Sequence, residues 1–374
     1  MRSRRGLIPA FLALLPLAVA GELSAQLIQT LTPYPNPPNF LEILPNIVPL
    51  NDLPNPYSSV DNWVALPDGR EWGSTAGVDI DPDGEHLWAI DRCGANSCGA
   101  SDLDPILKID QEGVVVTSFG GGMIIFPHGI HVDDEGNVWV TDGQGPNPEV
   151  PATAGKGHVV LKFSPEGELL LTLGEPGVAG NGTDHRLNAP CDVVVGPDGF
   201  IYVSDGHSGG GANASPETVA RIVVYDSDGN YVRQFGRFGS AAGELRVPHA
   251  VDIDAHGRLV VGDRGNNRLQ IFELDGTYIM EMRQFGRPSG IYITDDNTIY
   301  VADSESQFEN SNNPGWVTGI RVGNLDTGIA EYHILGDVAM YPEGSNPEGV
   351  AVDADGNVYG AVVSGGGAMI KSSR

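Results

Sequence analysis

Short apolar runs that alternate with polar residues recur in pairs along most of the chain. In "FPHGIHVDDEGNVWVTD", Phe126 to Asp142, Ile130 and Val132 precede an Asp-Glu-Gly-Asn turn and Val138 and Val140 follow it. A period of two puts successive side chains on opposite faces of a strand, so the stretch reads as two β-strands joined by a tight turn. The pattern returns as "APCDVVVGPDGFIYVSD" from Ala189, "VPHAVDIDAHGRLVVGD" from Val247 and "RPSGIYITDDNTIYVAD" from Arg287. Weaker copies are "TAGVDIDPDGEHLWAID" from Thr75 and "NPEGVAVDADGNVYGAV" from Asn346. Most copies run on into a third strand, and an Asp-Gly hairpin then leads to a fourth, as in "RIVVYDSDGNYVRQFG" and "RLQIFELDGTYIMEMRQFG".

Six such units predict an all-β fold, a six-bladed β-propeller. One four-stranded unit cannot bury both faces, so the blades must stack around an axis. The last copy has only three plausible strands before Arg374. A strand near Tyr57 to Val64 is therefore expected to supply its outer strand and close the ring. The predicted organisation is a secretory signal peptide at 1–25, a Pro-rich linker at 26–56 and the propeller at 57–374.

Composition narrows the partners. The 51 Gly and 27 Pro suit a turn-rich β-protein. With 21 Lys plus Arg against 49 Asp plus Glu, the net charge of −28 repels phosphate backbones and anionic membranes, which excludes nucleic acid as a partner. The opening "MRSRRGLIPAFLALLPLAVAGELSAQ" joins three arginines to a short apolar run with cleavage points after Ala20 or Ala25. This is the pattern of a signal peptide, so the mature protein is expected to be secreted or periplasmic, with no membrane span once the signal is removed. Export would allow a disulfide between Cys93 and Cys98, leaving Cys191 as an odd thiol. Nothing in the sequence fixes an oligomeric state.

The repeat also sorts the chemistry. At the start of each innermost strand, one position faces the axis in all six units, and its occupants are Ala76, His128, Cys191, His249, Ser289 and Glu348. Two imidazoles, a thiol and a carboxylate around one channel point to a metal site. Just past the second strands stand Arg92, His207 and Arg264, within reach of the same mouth. Arginine there can hold a carboxylate with two parallel hydrogen bonds, and His207 can transfer a proton or act as a further ligand. The run Asp79 to Glu85 imitates a calcium loop but lacks its closing glutamate, and reads as a hairpin turn. The strand-end aspartates Asp142, Asp205, Asp263 and Asp303 are expected to accept backbone N–H bonds between blades. His86, His131, His158, His185, His256 and His333 share no repeat position and read as surface or locally bonded.

On these stretches the chain resembles the NHL-repeat six-bladed propellers and, among them, the peptidyl-α-hydroxyglycine α-amidating lyases. The resemblance is strongest from Gly77 to Asp263. It implies a zinc ion held by three histidines at strand starts, a calcium deeper in the channel, an active-site tyrosine and an arginine near the substrate carboxylate. Carried over, His128 and His249 match two zinc ligands and Arg92 matches the arginine. The third histidine falls on Glu348, the tyrosine on His207 and the calcium-binding aspartate on Gly349, which argues against a calcium site. A family disulfide has no counterpart, because Asn188 and Ser208 stand at its positions.

The leading expectation is an exported zinc-dependent lyase that cleaves the C–N bond of an N-acyl hemiaminal, a small-molecule or peptide substrate with a carboxylate, to an amide and glyoxylate. His128, His249 and Glu348 would hold the ion, His207 would move the proton and Arg92 would orient the carboxylate. A His, His, Glu set is an accepted catalytic zinc shell. The alternative is a non-catalytic NHL propeller that binds a peptide, glycan or protein partner. A lactonase-like hydrolase, with calcium held by carboxylates, fits less well because the channel-facing positions are histidine-rich.

Overall fold

The computed structural model describes residues 48–60, 62–67, 69–210, 214–306, 313–335, 347–363 and 368–374. The stretches expected to be a signal peptide and most of the linker lie outside them. Six antiparallel four-stranded sheets make up the described fold. Blade 1 holds β2 (Thr75–Ile80), β3 (His86–Asp91), β4 (Ile106–Asp110) and β5 (Val115–Phe119). Blade 2 holds β6 (Pro127–Val132), β7 (Val138–Asp142), β8 (Val159–Phe163) and β9 (Leu169–Gly174). Blade 3 holds β10 (Pro190–Val195), β11 (Ile201–Asp205), β12 (Arg221–Tyr225) and β13 (Tyr231–Phe235). Blade 4 follows with β14 (Pro248–Ile253), β15 (Leu259–Asp263), β16 (Arg268–Phe272) and β17 (Tyr278–Met282). Blade 5 has β18 (Gly290–Ile293), β19 (Thr298–Asp303), β20 (Gly319–Asn324) and β21 (Ile329–Ile334). Blade 6 has β22 (Pro347–Val352), β23 (Val358–Val362) and β24 (Ala368–Ser373).

The first strand, β1 (Ser58–Val60), pairs with β24, Ser58 opposite Ser373 and Val60 opposite Lys371. The chain thus completes its last blade with its earliest strand, as the truncated sixth repeat requires, and a ring closed in this way has fewer free edges. Each inner strand packs against the next, and β22 packs against β2 to complete the circle. The apolar side chains form a separate cluster at each blade interface. Trp88, Ile90, Val140 and Phe163 lie between blades 1 and 2, and Val78, Leu107, Ala351 and Tyr359 lie between blades 6 and 1. The end of the linker is part of the fold: Leu50 and Leu53 pack beside blade 5, and Arg321 donates to Leu50 O and Asn51 Oδ1.

Local chemistry explains the repeat. In the inner hairpin of blade 2, Gly136 at φ 80° closes the turn with a bond to Asp133 O, a left-handed geometry that favours glycine. Blade 5 puts Asn297 at φ 60° in the same place, the residue type that tolerates this region best after glycine. The strand-end aspartates pin the connection that arrives from the preceding blade. Asp91 accepts from Gly73 N, Asp142 from Ile125 N and Phe126 N, Asp205 from Asn188 N, Asp263 from Arg246 N and Asp303 from Arg287 N. In blades 3 and 4 a buried arginine at the head of the third strand, Arg221 or Arg268, pairs with that aspartate, and in blade 5 Arg321, two residues into β20, does the same. The Asp81–Gly84 segment is a hairpin turn, as expected, with Asp83 N bonded to Asp81 Oδ1.

Candidate metal centre at the channel mouth

Five of the six inner hairpins carry a register shift at their first residues, between Thr75 and Gly77, Pro127 and Ile130, Pro190 and Asp192, Pro248 and Ala250, and Pro347 and Gly349. A bulge re-aims the side chain it carries. Ala76, His128, Cys191, His249 and Glu348 all sit in these bulges. Together with Ser289 they line one small cavity of about 50 Å³ on the axis, room for an ion or a water. The strands approach so closely here that glycine is required beside the site. A Cβ on Gly349 would lie 2.7 Å from Ala76 O, so a larger side chain does not fit on this backbone.

His128 and His249 are 4% and 2% exposed. The Nδ1 of His128 lies 2.8 Å from Cys191 O, and that of His249 lies 2.6 Å from Ser289 O. A carbonyl only accepts, so each Nδ1 carries the hydrogen and each Nε2 keeps its lone pair. Both Nε2 atoms are buried and have no hydrogen-bond partner among the described residues. Burial pushes both imidazoles well below their usual range, helped for His128 by His207 and Arg92 and for His249 by Arg264 and His128. Neutral rings held by backbone carbonyls, with bare nitrogens aimed inward, are what a ligating histidine needs. The donor set therefore fits a divalent metal.

His207 belongs to the same group. It opens a short 3-10 turn, His207–Gly210, after β11. One ring nitrogen from each of His128, His207 and His249 lies within 4.8 Å of the other two. Their ring centroids form a triangle of 4.6, 4.9 and 5.3 Å. Arg264 Nη2 stands 3.3 Å from His207 Nε2, and burial with Arg264 and Arg92 pushes this imidazole down to about 3.

Glu348 lies across the channel with Oε1 3.6 Å from His128 Nε2 and 4.0 Å from His249 Nε2, and Oε2 3.7 Å from Arg264 Nη1. Burial raises its carboxyl, against the pull of Arg264 and Arg92. Arg92 is held by Pro127 O and Asn96 Oδ1 and lies over the Phe126 ring at 3.6 Å, with Nη2 unpartnered among the described residues. Burial lowers it to about 10. Cys93 and Cys98 form a disulfide that closes the loop beginning next to Arg92. Cys191 is buried, its thiol pushed up by burial, and Sγ is turned toward Ala189 O.

Two features escape a reading of the sequence. Glu305, after β19, pairs with Arg287 and Arg264 and joins the site's charge network. At the other end of the channel, His131 sits one tier below His128, 3.4 Å from Asp79, in a cavity of about 490 Å³ also lined by Asp192, Asp252 and Tyr292. His131 is locally bonded, as expected, yet it does occupy a repeat position: Asp79, Asp252 and Tyr292 stand at the same place in β2, β14 and β18. Asp79, Asp192 and Asp252 accept N–H bonds from Val132, Val251 and Ile293 on the neighbouring blades.

Comparison with known proteins agrees with this architecture. The NHL repeat family model matches residues 245–272 and 285–309, and the strictosidine synthase-like N-terminal model matches residues 336–366. NHL repeat-containing protein 3 of Mus musculus is 36% identical over 200 residues, 49% of this chain and 53% of that protein. Peptidylglycine alpha-amidating monooxygenase of Rattus norvegicus is 31% identical over 223 residues, 54% of this chain and 20% of that protein. A probable peptidyl-alpha-hydroxyglycine alpha-amidating lyase of Caenorhabditis elegans is 28% identical, covering 54% of this chain and 56% of that protein. These matches thus span about half or less of the relatives' lengths. Among solved structures, a gluconolactonase of Xanthomonas campestris aligns with a TM-score of 0.55 at 15% identity, covering 87% of this chain and 96% of that one, a likeness of fold alone. The chain is an NHL-repeat six-bladed β-propeller, similar in sequence to peptidyl-α-hydroxyglycine α-amidating lyases.

Proposed function

We propose that the protein is an exported, metal-dependent lyase acting on an N-acyl hemiaminal that carries a carboxylate, such as a peptidyl α-hydroxyglycine. The observation that carries this reading is the pair of buried, unpartnered Nε2 atoms of His128 and His249, aimed into a channel mouth where Arg92 keeps a free N–H. Nitrogen donors in this number favour zinc. A zinc ion bound there supplies Lewis acidity toward a substrate oxygen.

The chain's own groups do the rest. Arg92 Nη2 is buried and free to donate to the substrate carboxylate, and the Phe126 ring beneath the guanidinium fixes its plane. His207 and Glu348 supply between them the third ligand and the proton acceptor. The acceptor takes the hydroxyl proton, the carbon–oxygen bond becomes a carbonyl, and the carbon–nitrogen pair leaves on nitrogen. Return of the proton to that nitrogen gives the amide and glyoxylate, with no water or further reactant consumed. The Cys93–Cys98 disulfide supports an oxidising compartment.

The test is release of glyoxylate from α-hydroxyhippurate by purified protein whose zinc content is measured in parallel. About one zinc per chain with turnover is expected. Protein that takes up no zinc and releases no glyoxylate when zinc is supplied would favour a non-catalytic propeller.

A further inference from the structure

Of the groups at the channel mouth, His207 and Glu348 are the two whose arrangement bears on which holds the ion and which moves the proton. We propose that His207, from the loop after β11, is the third metal ligand, and that Glu348 stands outside the ion's shell as the proton acceptor; this rests on the metal-dependent reading above.

Three observations carry the assignment. Donor atoms around a tetrahedral zinc with bonds of about 2.0–2.1 Å lie about 3.3 Å apart. The three imidazoles already present nitrogens all within 4.8 Å of one another, while Glu348, whose Oε1 comes within 3.6 and 4.0 Å of two of them, has its other oxygen turned to Arg264. Next, a guanidinium only donates, so the long 3.3 Å contact from Arg264 Nη2 marks a lone pair on His207 Nε2, one that an incoming ion would take over from Arg264. Finally, the ring places the groups in a consistent way. His128, His207 and His249 come from three consecutive blades, 2, 3 and 4. Blade 3 offers its imidazole from the loop because its strand-start residue, Cys191, has its sulfur turned to Ala189 O. Blade 6 lies opposite blade 3, so Glu348 faces the imidazoles across the channel, with one oxygen near Arg264 and the other near His128 and His249. A carboxylate so placed would stand beside the hydroxyl of a substrate bound at the ion, where it can take the proton.

The experiment uses the full chain stripped with a chelator and titrated with Zn²⁺ and Co²⁺, comparing wild type with His207→Ala, His207→Gln and Glu348→Gln. Near-ultraviolet circular dichroism of the metal-free forms verifies folding. Both His207 variants are expected to lose about 100-fold or more in metal affinity and the visible cobalt bands. Glu348→Gln is expected to cost about tenfold in affinity, the low end for a group outside the shell, keep the bands and lose glyoxylate release. Loss of the metal in Glu348→Gln, or its retention in either His207 variant, would overturn the assignment. A wild type that binds metal as described yet releases no glyoxylate would refute the lyase reading while leaving the ligand set standing.

Discussion

Replacing Arg268 by methionine tests whether the buried arginine–aspartate pairs hold the blades and, through them, the site. Arg268 is 1% exposed, and its partners Asp263 and Glu281 are 0% and 2% exposed. Its Nε lies 2.7 Å from Asp263 Oδ2 and its Nη1 lies 2.5 Å from Glu281 Oε2. Nη2 donates to Ala241 O and Glu244 O in the connection from blade 3. Methionine fills most of the volume but leaves two carboxylates without their shared cation. Asp263 keeps three neutral donors, from Arg246 N, Asn266 and Gln270, and Glu281 keeps Arg283, so neither is fully abandoned. Breaking one side of a buried ion pair costs about 3–5 kcal/mol, and the surviving partners place this case at the lower end. Urea unfolding followed by tryptophan fluorescence measures it, with Arg237→Ala as the reference. Arg237 makes a similar contact with Glu244 but is 80% exposed on its side chain, and its loss should fall within error of wild type. Because Asp263 directly precedes Arg264, the variant should also impair the site. Equal stability of the two variants would refute the view that these pairs lock the blade connections.

Two further outcomes follow from the same structure. Replacing Cys93 and Cys98 by alanine opens a loop of five-residue separation, which should cost about 2 kcal/mol in thermal unfolding and raise KM for a carboxylate substrate by loosening Arg92; an unchanged KM would separate the disulfide from the site. At the far end of the channel, burial raises Asp192 and Asp252 to about 7, and His131 is held up against burial by Asp79, Asp252 and Asp192. The folded state then binds more protons than the unfolded chain between about pH 4 and 7, so stability should fall as pH rises through that window, and Asp252→Asn should flatten the pH dependence of Tm between pH 5 and 8.

The fold was legible because the repeat imposes one rule many times. Period-two strands, turn glycines and strand-end aspartates recur in register, so each copy corroborates the others, and the missing strand after β24 directs attention to Ser58–Val60. Channel-facing positions followed from the same alignment. Their division of labour did not, because the bulges that turn His128, His249 and Glu348 inward leave no separate mark in the residues themselves. His207 lies in a loop whose path depends on packing over Ala189, where its N–H bonds. The tier containing His131 was missed for a different reason. Its equivalents are aspartates and a tyrosine rather than histidines, so a search by residue type passes over a position that a search by register finds.

A ring of near-equivalent blades has a chemical consequence. Six strand starts converge on one axis, and the loops above them end near the same point, so a donor lost from one blade can be supplied by another with little change to the others. The strand start of blade 6 bears Glu348 where the resemblance leads one to expect an imidazole, and the loop of blade 3 bears an imidazole where it leads one to expect a phenol. In a linear site each change would remove a function. On the axis the two together would, under the proposed assignment, preserve three nitrogens and one proton acceptor, with Arg264 near both positions, 3.3 Å from His207 and 3.7 Å from Glu348. If the proposed ligand set holds, the two departures compensate each other, and the zinc titration of the His207 and Glu348 variants decides between a rearranged centre and a decayed one.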